Sequence, residues 1–148
     1  MRATIKDERM MKAWTLLFLR FGTGMLLVLW GIVRLTAPEA GAKVSQKYYA
    51  ALGASDLAQT GWGAALVVVG TLCILGLWRR YSYAAQAVVL VSGALSIWKY
   101  LLDPFGNYLI EEGQILFFPS LAMAAATLVL IAFRADDRLA LDAVLRRA

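Results

Sequence analysis

The sequence predicts an all-α fold: a four-helix transmembrane bundle with a short outer-surface helix in the first loop. Of the 148 residues, 61% are hydrophobic and 17% are charged, whereas about 25% are charged in an average soluble domain. The apolar residues fall into four blocks, each close to the ~20 residues that a helix needs to cross a bilayer. Because lipid offers no hydrogen bonds to an open backbone, each block is expected to be a helix.

Four segments and a charged tail make up one predicted domain, 1–148. The segments are predicted at 14–35, 59–78, 83–102 and 115–133, with the tail at 134–148. In the loop after segment one, helical spacing predicts a short surface helix through Val44, Tyr48, Ala51 and Leu52. The same spacing predicts that the tail lies on the cytoplasmic membrane surface through Leu141, Val144, Leu145 and Ala148.

Lysine and arginine are concentrated on one side of the predicted membrane. The loops of the opposite side hold only Lys43 and Lys47. The first side holds ten: Arg2, Lys6, Arg9, Lys12, Arg79, Arg80, Arg134, Arg138, Arg146 and Arg147. The positive-inside rule therefore predicts that both termini are cytoplasmic. Anionic lipid explains the net charge of +5, so nucleic acid is not an expected partner.

Cleavage of segment one as a signal peptide is the alternative to this topology. Ala40-Gly41-Ala42 has the small-residue pattern of a cleavage site. The apolar stretch before it is longer than such signals usually are, which favours a retained helix.

The cysteine and histidine content excludes several kinds of site. The chain has one cysteine, Cys73, and no histidine. An intrachain disulfide, a Cys/His zinc site, a histidine-ligated haem and a CxxC relay are therefore excluded. No metal and no covalently bound cofactor is expected, and any redox chemistry would need a bound organic cofactor, such as a quinone, or the groups of a partner.

One face of segment one combines two arginines with two glycines. At 100° per residue, Arg20, Gly24, Gly31 and Arg34 share a narrow arc. The glycines predict close approach of another helix, for which Gly63 and Gly70 of segment two are suited. The arginines either hold an anionic or carbonyl-bearing ligand, such as a quinone or lipid headgroup, or extend to the nearer interface.

Segment three carries a second polar arc, which includes Gln86, Gly93 and Ser96 and ends at Tyr100 and Asp103. Four residues separate Lys99 from Asp103, a spacing that permits an ion pair. These residues predict a polar pocket at an outer mouth of the bundle, or else a salt bridge that only finishes the helix. The predicted pocket residues are Arg34, Lys99, Tyr100, Asp103, Glu111 and Glu112.

The sequence motifs resemble those of a known family. Segment one reads LRFGTGMLLVLWGIVRL, and segment two, after a long first loop, ends in LGLWRR. Over about residues 16–133 the chain resembles the DoxX-like family of small bacterial membrane proteins. The resemblance implies a four-helix bundle of the bacterial inner membrane that is associated with redox or sulfur metabolism. Arg20 matches the early arginine of the family's first helix, and the paired cysteines of related thiol-active bundles are absent.

These observations lead to one expected function and two alternatives. We expect an accessory or anchoring subunit of a quinone- or sulfur-linked membrane redox complex, without catalytic activity of its own. The expected partners are membrane lipid and either another protein or further copies of this chain. The alternatives are a small transporter or ligand-binding bundle that uses the outer mouth, and a stand-alone stress or assembly factor.

Overall fold

A computed structural model describes residues 2–48 and 55–145, with side chains from residue 7 onward. All regular structure in these residues is helical, as the sequence predicts. The α-helices are α1 (Arg2–Thr36), α2 (Pro38–Tyr48), α3 (Asp56–Leu75), α4 (Arg79–Ser96), α5 (Trp98–Leu102), α6 (Pro119–Ala132) and α7 (Leu141–Leu145), and a 3-10 turn, Ile115–Phe117, precedes α6.

The four longer helices α1, α3, α4 and α6 form a closed ring of contacts. The contact of α1 with α3 is the most extensive, α3 also meets α4, and α6 packs on both α4 and α1. Within the described residues, three stretches are long and apolar enough to cross a membrane, against the four predicted: Asp7–Thr36, Asp56–Leu75 and Ile115–Ala132. α4 is not among them. Many large apolar side chains on these helices face outward, among them Phe18, Val68 and Leu128.

Two pairs of glycines set the distance between α1 and α3. A Cβ atom added to Gly24 would lie 2.8 Å from the carbonyl oxygen of Gly70, and one on Gly31 would lie 2.7 Å from that of Gly63. Real Cβ atoms do not approach a backbone this closely, so side chains at these positions would push the helices apart. The predicted packing role of the four glycines is confirmed.

The turn between the second and third segments begins earlier than predicted. α3 ends at Leu75 rather than at residue 78, because Gly76 adopts a left-handed conformation (φ 68°) and caps the helix. The N–H of Gly76 donates to the carbonyl of Cys73, and the N–H of Leu77 donates to the carbonyl of Leu72. These two carbonyl groups of the last turn of α3 therefore have hydrogen-bond partners. α4 then starts at Arg79, four residues before the predicted start.

Other helix boundaries also differ from prediction, and α3 begins at Asp56 rather than at residue 59. α1 begins at Arg2 rather than at residue 14, since its polar first turns consist of good helix formers. The third segment is broken at Ile97 into α4 and α5. The fourth begins as a 3-10 turn before Pro119, which opens α6 where its missing N–H costs no hydrogen bond.

The predicted surface helix in the first loop is present as α2, although Ala51 and Leu52 lie outside the described residues. The tail differs from the prediction of a surface-lying stretch. Its short helix α7 does expose Leu141, Val144 and Leu145, and Ala148 is outside the described residues. The residues before α7 fold back on the bundle, where Asp137 and Ala140 are buried.

Candidate functional site

A buried ion pair joins the first helix to the tail. The Arg20 side chain is almost completely buried, and its Nη1 lies 3.3 and 3.4 Å from the two carboxylate oxygens of Asp137. Nη2 donates to the carbonyl of Leu139 at 2.9 Å. The Tyr83 hydroxyl donates to the same Asp137 carboxylate at 2.5 Å. We call Arg20, Tyr83 and Asp137 the tail cluster; in it, a tail carboxylate neutralises the buried arginine, and two helices hold that carboxylate.

Local backbone structure positions both partners of this ion pair. A tight turn after α6 presents Asp137, with the N–H of Asp136 donating to the carbonyl of Phe133 at 2.9 Å. On the other side, Gly76 leaves room where a Cβ would overlap Nη1 of Arg20 and lie 2.6 Å from the Ala140 Cβ. Gly76 therefore both caps α3 and admits the guanidinium against the tail.

Arg79 forms a second set of contacts with the tail. Its Nη1 donates to the carbonyls of Arg134, at 2.9 Å, and Asp137, at 2.8 Å. Its backbone N–H donates to Oδ2 of Asp142 at 2.9 Å, and its Nε lies 3.7 Å from the same oxygen. The Asp142 N–H in turn donates to the carbonyl of Gly76 at 3.2 Å. Backbone and side-chain contacts thus hold the tail from Arg134 to Asp142.

A cavity of about 270 Å³ opens beside these contacts. We call it the arginine cavity, since Arg79, Arg80 and Arg134 line it together with Asp142. Arg80 and Arg134 are exposed, whereas Arg79 and Asp142 are half-buried. The lining therefore carries three positive charges and one negative charge.

A different polar cluster lies at the other end of α1. Arg34 donates from Nη1 to the side-chain carbonyl of Gln59, and the Gln59 amide donates to Ser45 Oγ at 3.0 Å. All three residues are buried. We call them the amide cluster. It joins α1, α2 and α3, and Gly41 of α2 lies so close to the Gln59 side chain that a Cβ there would overlap it.

The predicted outer-mouth site does not assemble among the described side chains. Arg34 donates a hydrogen bond to Gln59 of α3. Lys99 is exposed, with Nζ 5.9 Å from the centroid of the Trp98 ring. Tyr100 packs edge-to-face on the rings of Tyr48 and Phe117, each 5.5 Å away. The acidic residues Glu111 and Glu112 are exposed.

Asp103 has a local role that the sequence did not predict. Its carboxylate accepts backbone N–H groups of Asn107, Tyr108 and Leu109 at 2.7–2.9 Å. The bond from Leu109 and the others beside it lower the pKa of Asp103 to about 2. The predicted ion pair with Lys99 is therefore wrong, because three N–H groups of its own loop satisfy the carboxylate.

Gln86 is the one member of the predicted polar arc that is fully buried. Neither its amide nitrogen nor its amide oxygen has a hydrogen-bond partner within the described part of the chain. Ser96, on the same predicted arc, is exposed and bonds to the carbonyl of Ser92. Among the described residues, no three Cys, Asp or Glu side chains form a group that could hold a metal ion.

No protein family, curated protein or solved structure matches the chain. Its likeness to the DoxX-like bundles therefore stays a prediction from the motifs of its sequence. The function proposed below rests on the geometry of the tail cluster, the amide cluster and the buried Gln86 amide.

Sequence reasoning singled out both arginines and missed their partners. It treated Asp137 as part of a surface tail and Gln59 as the first residue of a spanning segment. One available signal was the cost of an unpaired arginine among apolar residues, which requires an acid on the same side of the membrane. That signal narrows the choice to a few carboxylates, of which Asp136 and Asp137 are two.

Proposed function

We propose that the chain is a multi-pass protein of the bacterial inner membrane, with four spanning helices and both termini in the cytoplasm. α4 has 18 residues, a length of about 27 Å against a hydrocarbon core of about 30 Å. The hydrogen bonds of Arg79 to the tail support a common side for the Arg79–Arg80 turn and the C-terminus. That side carries the ten basic residues, and the positive-inside rule makes it cytoplasmic.

A reporter enzyme that is active only outside the cytoplasm tests this topology. Fused after Ala148, it should give no signal, whereas a fusion within the loop 103–114 should give a strong one. A strong signal from the fusion at Ala148 would contradict the proposed topology.

Within that membrane, we propose that the chain is an accessory or anchoring subunit of a quinone- or sulfur-linked redox complex. The tail cluster is the observation that carries this proposal. The buried pair of Arg20 and Asp137 holds the tail in one orientation, so the exposed Arg138 beside it belongs to a fixed polar surface on the proposed cytoplasmic side. A preordered surface loses less conformational entropy when a partner binds than a free tail does. The resemblance to DoxX-like proteins supports the link to redox metabolism.

Purification from native membranes in a mild detergent tests the subunit role. The full-length chain should retain a protein partner, and Arg138→Glu should reduce that retention without changing thermal stability, because Arg138 is exposed. Lys43→Glu is the matched control: it reverses an exposed charge on α2, at the end of α1 away from the tail. Equal retention in both variants would contradict a partner surface on the tail.

Gln86 favours a bound quinone as the organic cofactor of such a complex. Its buried amide nitrogen is a donor without a partner in the described residues, and a quinone carbonyl is an acceptor of low polarity suited to an apolar surround. Gln86→Leu should keep thermal stability, since it removes an unsatisfied polar group. It should also lower the quinone extracted per mole of purified protein. Unchanged quinone content would remove Gln86 from the proposal.

The amide cluster favours the alternative of a small transporter or ligand-binding bundle. A buried arginine and a buried carboxamide at a helix end are groups that can hold an anionic solute. The chain reconstituted alone in vesicles distinguishes the two functions. Uptake of a solute that depends on Arg34 would support transport, whereas an anchoring subunit should show none.

A further inference from the structure

The arginine cavity has more positive charge than its own carboxylate can balance. Asp142 already accepts the backbone N–H of Arg79 and lies 3.7 Å from its Nε. In the described part of the chain, no carboxylate lies within ion-pair distance of Arg80 or Arg134. Three arginines and one aspartate leave a net charge of +2 around the cavity.

Contacts beneath the cavity hold one of its arginines in a fixed position. Two carbonyl oxygens, those of Arg134 and Asp137, accept hydrogen bonds from Nη1 of Arg79. The Arg79 guanidinium is therefore preordered, whereas the exposed side chains of Arg80 and Arg134 are free to close on a ligand. A planar guanidinium offers paired N–H donors that match the oxygens of a phosphate.

Exposed aromatic residues place the cavity at the depth of the lipid headgroups. Trp78 and Tyr81 flank Arg79 and Arg80 in the chain, and their side chains are 70% and 71% exposed. Tryptophan and tyrosine concentrate at membrane interfaces, level with the headgroups. The anion that is abundant at that depth is the phosphate of an anionic phospholipid.

We propose that the arginine cavity binds the phosphate of an anionic phospholipid, such as phosphatidylglycerol, from the cytoplasmic leaflet. The cavity volume of about 270 Å³ equals roughly nine water molecules at about 30 Å³ each, so it admits a phosphate group with its nearest linker atoms. Arg80 and Arg134 bind the phosphate oxygens from the exposed side, and Arg79, whose Nη1 already donates to two carbonyls, adds its positive charge from the fixed side. This inference requires the proposed membrane location and is independent of the proposed redox partner.

Thermal unfolding of the full-length protein in mild detergent tests the site. Phosphatidylglycerol should raise the Tm of the wild type in a saturable way, and phosphatidylcholine should not. A charge-assisted hydrogen bond contributes at least roughly tenfold in affinity, so Arg80→Gln combined with Arg134→Gln should weaken phosphatidylglycerol binding by about 100-fold. Both side chains are exposed, so the double variant should keep its Tm in the absence of lipid.

The matched control removes two other exposed charges from the same proposed side, by Arg9→Gln and Lys12→Gln. It should keep wild-type affinity, and an equal loss in control and test variants would overturn the site in favour of general surface attraction. Inorganic phosphate forms a separate arm of the experiment. If it reproduces the stabilisation at the same concentration and the effect is lost in the double variant, the lipid assignment is overturned in favour of a soluble phosphate ligand.

Discussion

The two ends of α1 stabilise a buried arginine in different ways. Arg20 and Arg34 lie on one face of one helix, and each is buried. Arg20 meets a carboxylate and forms an ion pair, whereas Arg34 meets the neutral carboxamide of Gln59. A buried arginine is costly when it is left alone, and both arrangements supply acceptors. These two contacts differ in charge. Arg20 and Asp137 are both charged, whereas in the contact of Arg34 with Gln59 only the arginine is charged.

The two clusters also differ in the chain distance that they bridge. The Arg20–Asp137 contact joins residues 117 apart in the chain, and the Arg34–Gln59 contact joins residues 25 apart. The tail cluster therefore stabilises the closure of the whole ring of helices, whereas the amide cluster stabilises the first helical hairpin and the helix α2 within it. A substitution in the tail cluster should therefore lower the stability of the whole bundle, whereas a substitution in the amide cluster should mainly destabilise the first hairpin and α2.

The largest expected effect is at the tail cluster. Asp137→Asn leaves the buried Arg20 without its counter-charge and should lower the free energy of unfolding by about 3–5 kcal/mol. Thermal unfolding in detergent measures this loss. Asp136→Asn next to it, which changes a carboxylate outside the cluster, should stay within about 0.5 kcal/mol of wild type. A similar small change in Asp137→Asn would mean that water solvates Arg20 instead.

A smaller loss is expected at the amide cluster. Arg34→Gln removes a charge-assisted hydrogen bond to Gln59, worth about 1.5–3 kcal/mol. Lys99→Gln changes a cation that is exposed and should cost no more than about 0.5 kcal/mol. Parallel unfolding curves check both. Equal losses of unfolding free energy in the two variants would indicate that Arg34 and Lys99 belong to one charged site at the outer mouth, contrary to their positions in the structure.

The next expected effect is at the glycine contacts with α3, which lie between the two clusters along α1. Gly24→Leu should cost about 1–3 kcal/mol by overpacking against α3, because the added side chain starts within 3 Å of the Gly70 carbonyl. The matched control is Gly22→Leu, where nothing lies within 4 Å of an added Cβ. If both variants unfold at the wild-type temperature, the two helices separate without cost.

The smallest expected effect is confined to the loop after α5. The pKa of Asp103, about 2, lies below its ordinary value of 3.8, so its contribution is present at neutral pH and is lost as the pH falls through about 2. Asp103→Ala should speed hydrogen exchange at the amides of Tyr108 and Leu109 above that pH and leave global stability nearly unchanged. Glu111→Ala is the control and should leave exchange at these amides unaltered.

Periodic features of this chain could be predicted from its sequence, and contacts between distant segments could not. The arginine–glycine face of α1 follows from 100° per residue, and the packing of its two glycines on α3 follows from their size. Asp137 offered no such pattern, since the apolar spacing of the tail begins only at Leu141. An ion pair of Asp103 with Lys99 was predicted from their spacing alone, but the carboxylate accepts hydrogen bonds from N–H groups of its own loop. The break at Ile97 is not at a glycine or a proline: Gly93 lies one turn before it and Pro104 seven residues after it.

The separation of Arg20 from Asp137 has a consequence for the biosynthesis of the protein. At roughly 5–20 residues per second, the 117 residues between the partners take about 6–23 s to synthesise. During that interval the nascent first helix carries an arginine whose counter-charge does not yet exist. A chain cut short before Asp137 leaves that arginine without its counter-charge, which distinguishes it from the finished protein. Pulse-labelled chains ended at residue 136 should therefore be degraded faster than full-length Asp136→Asn chains, and equal half-lives would show that the ion pair plays no part in surveillance of the finished protein.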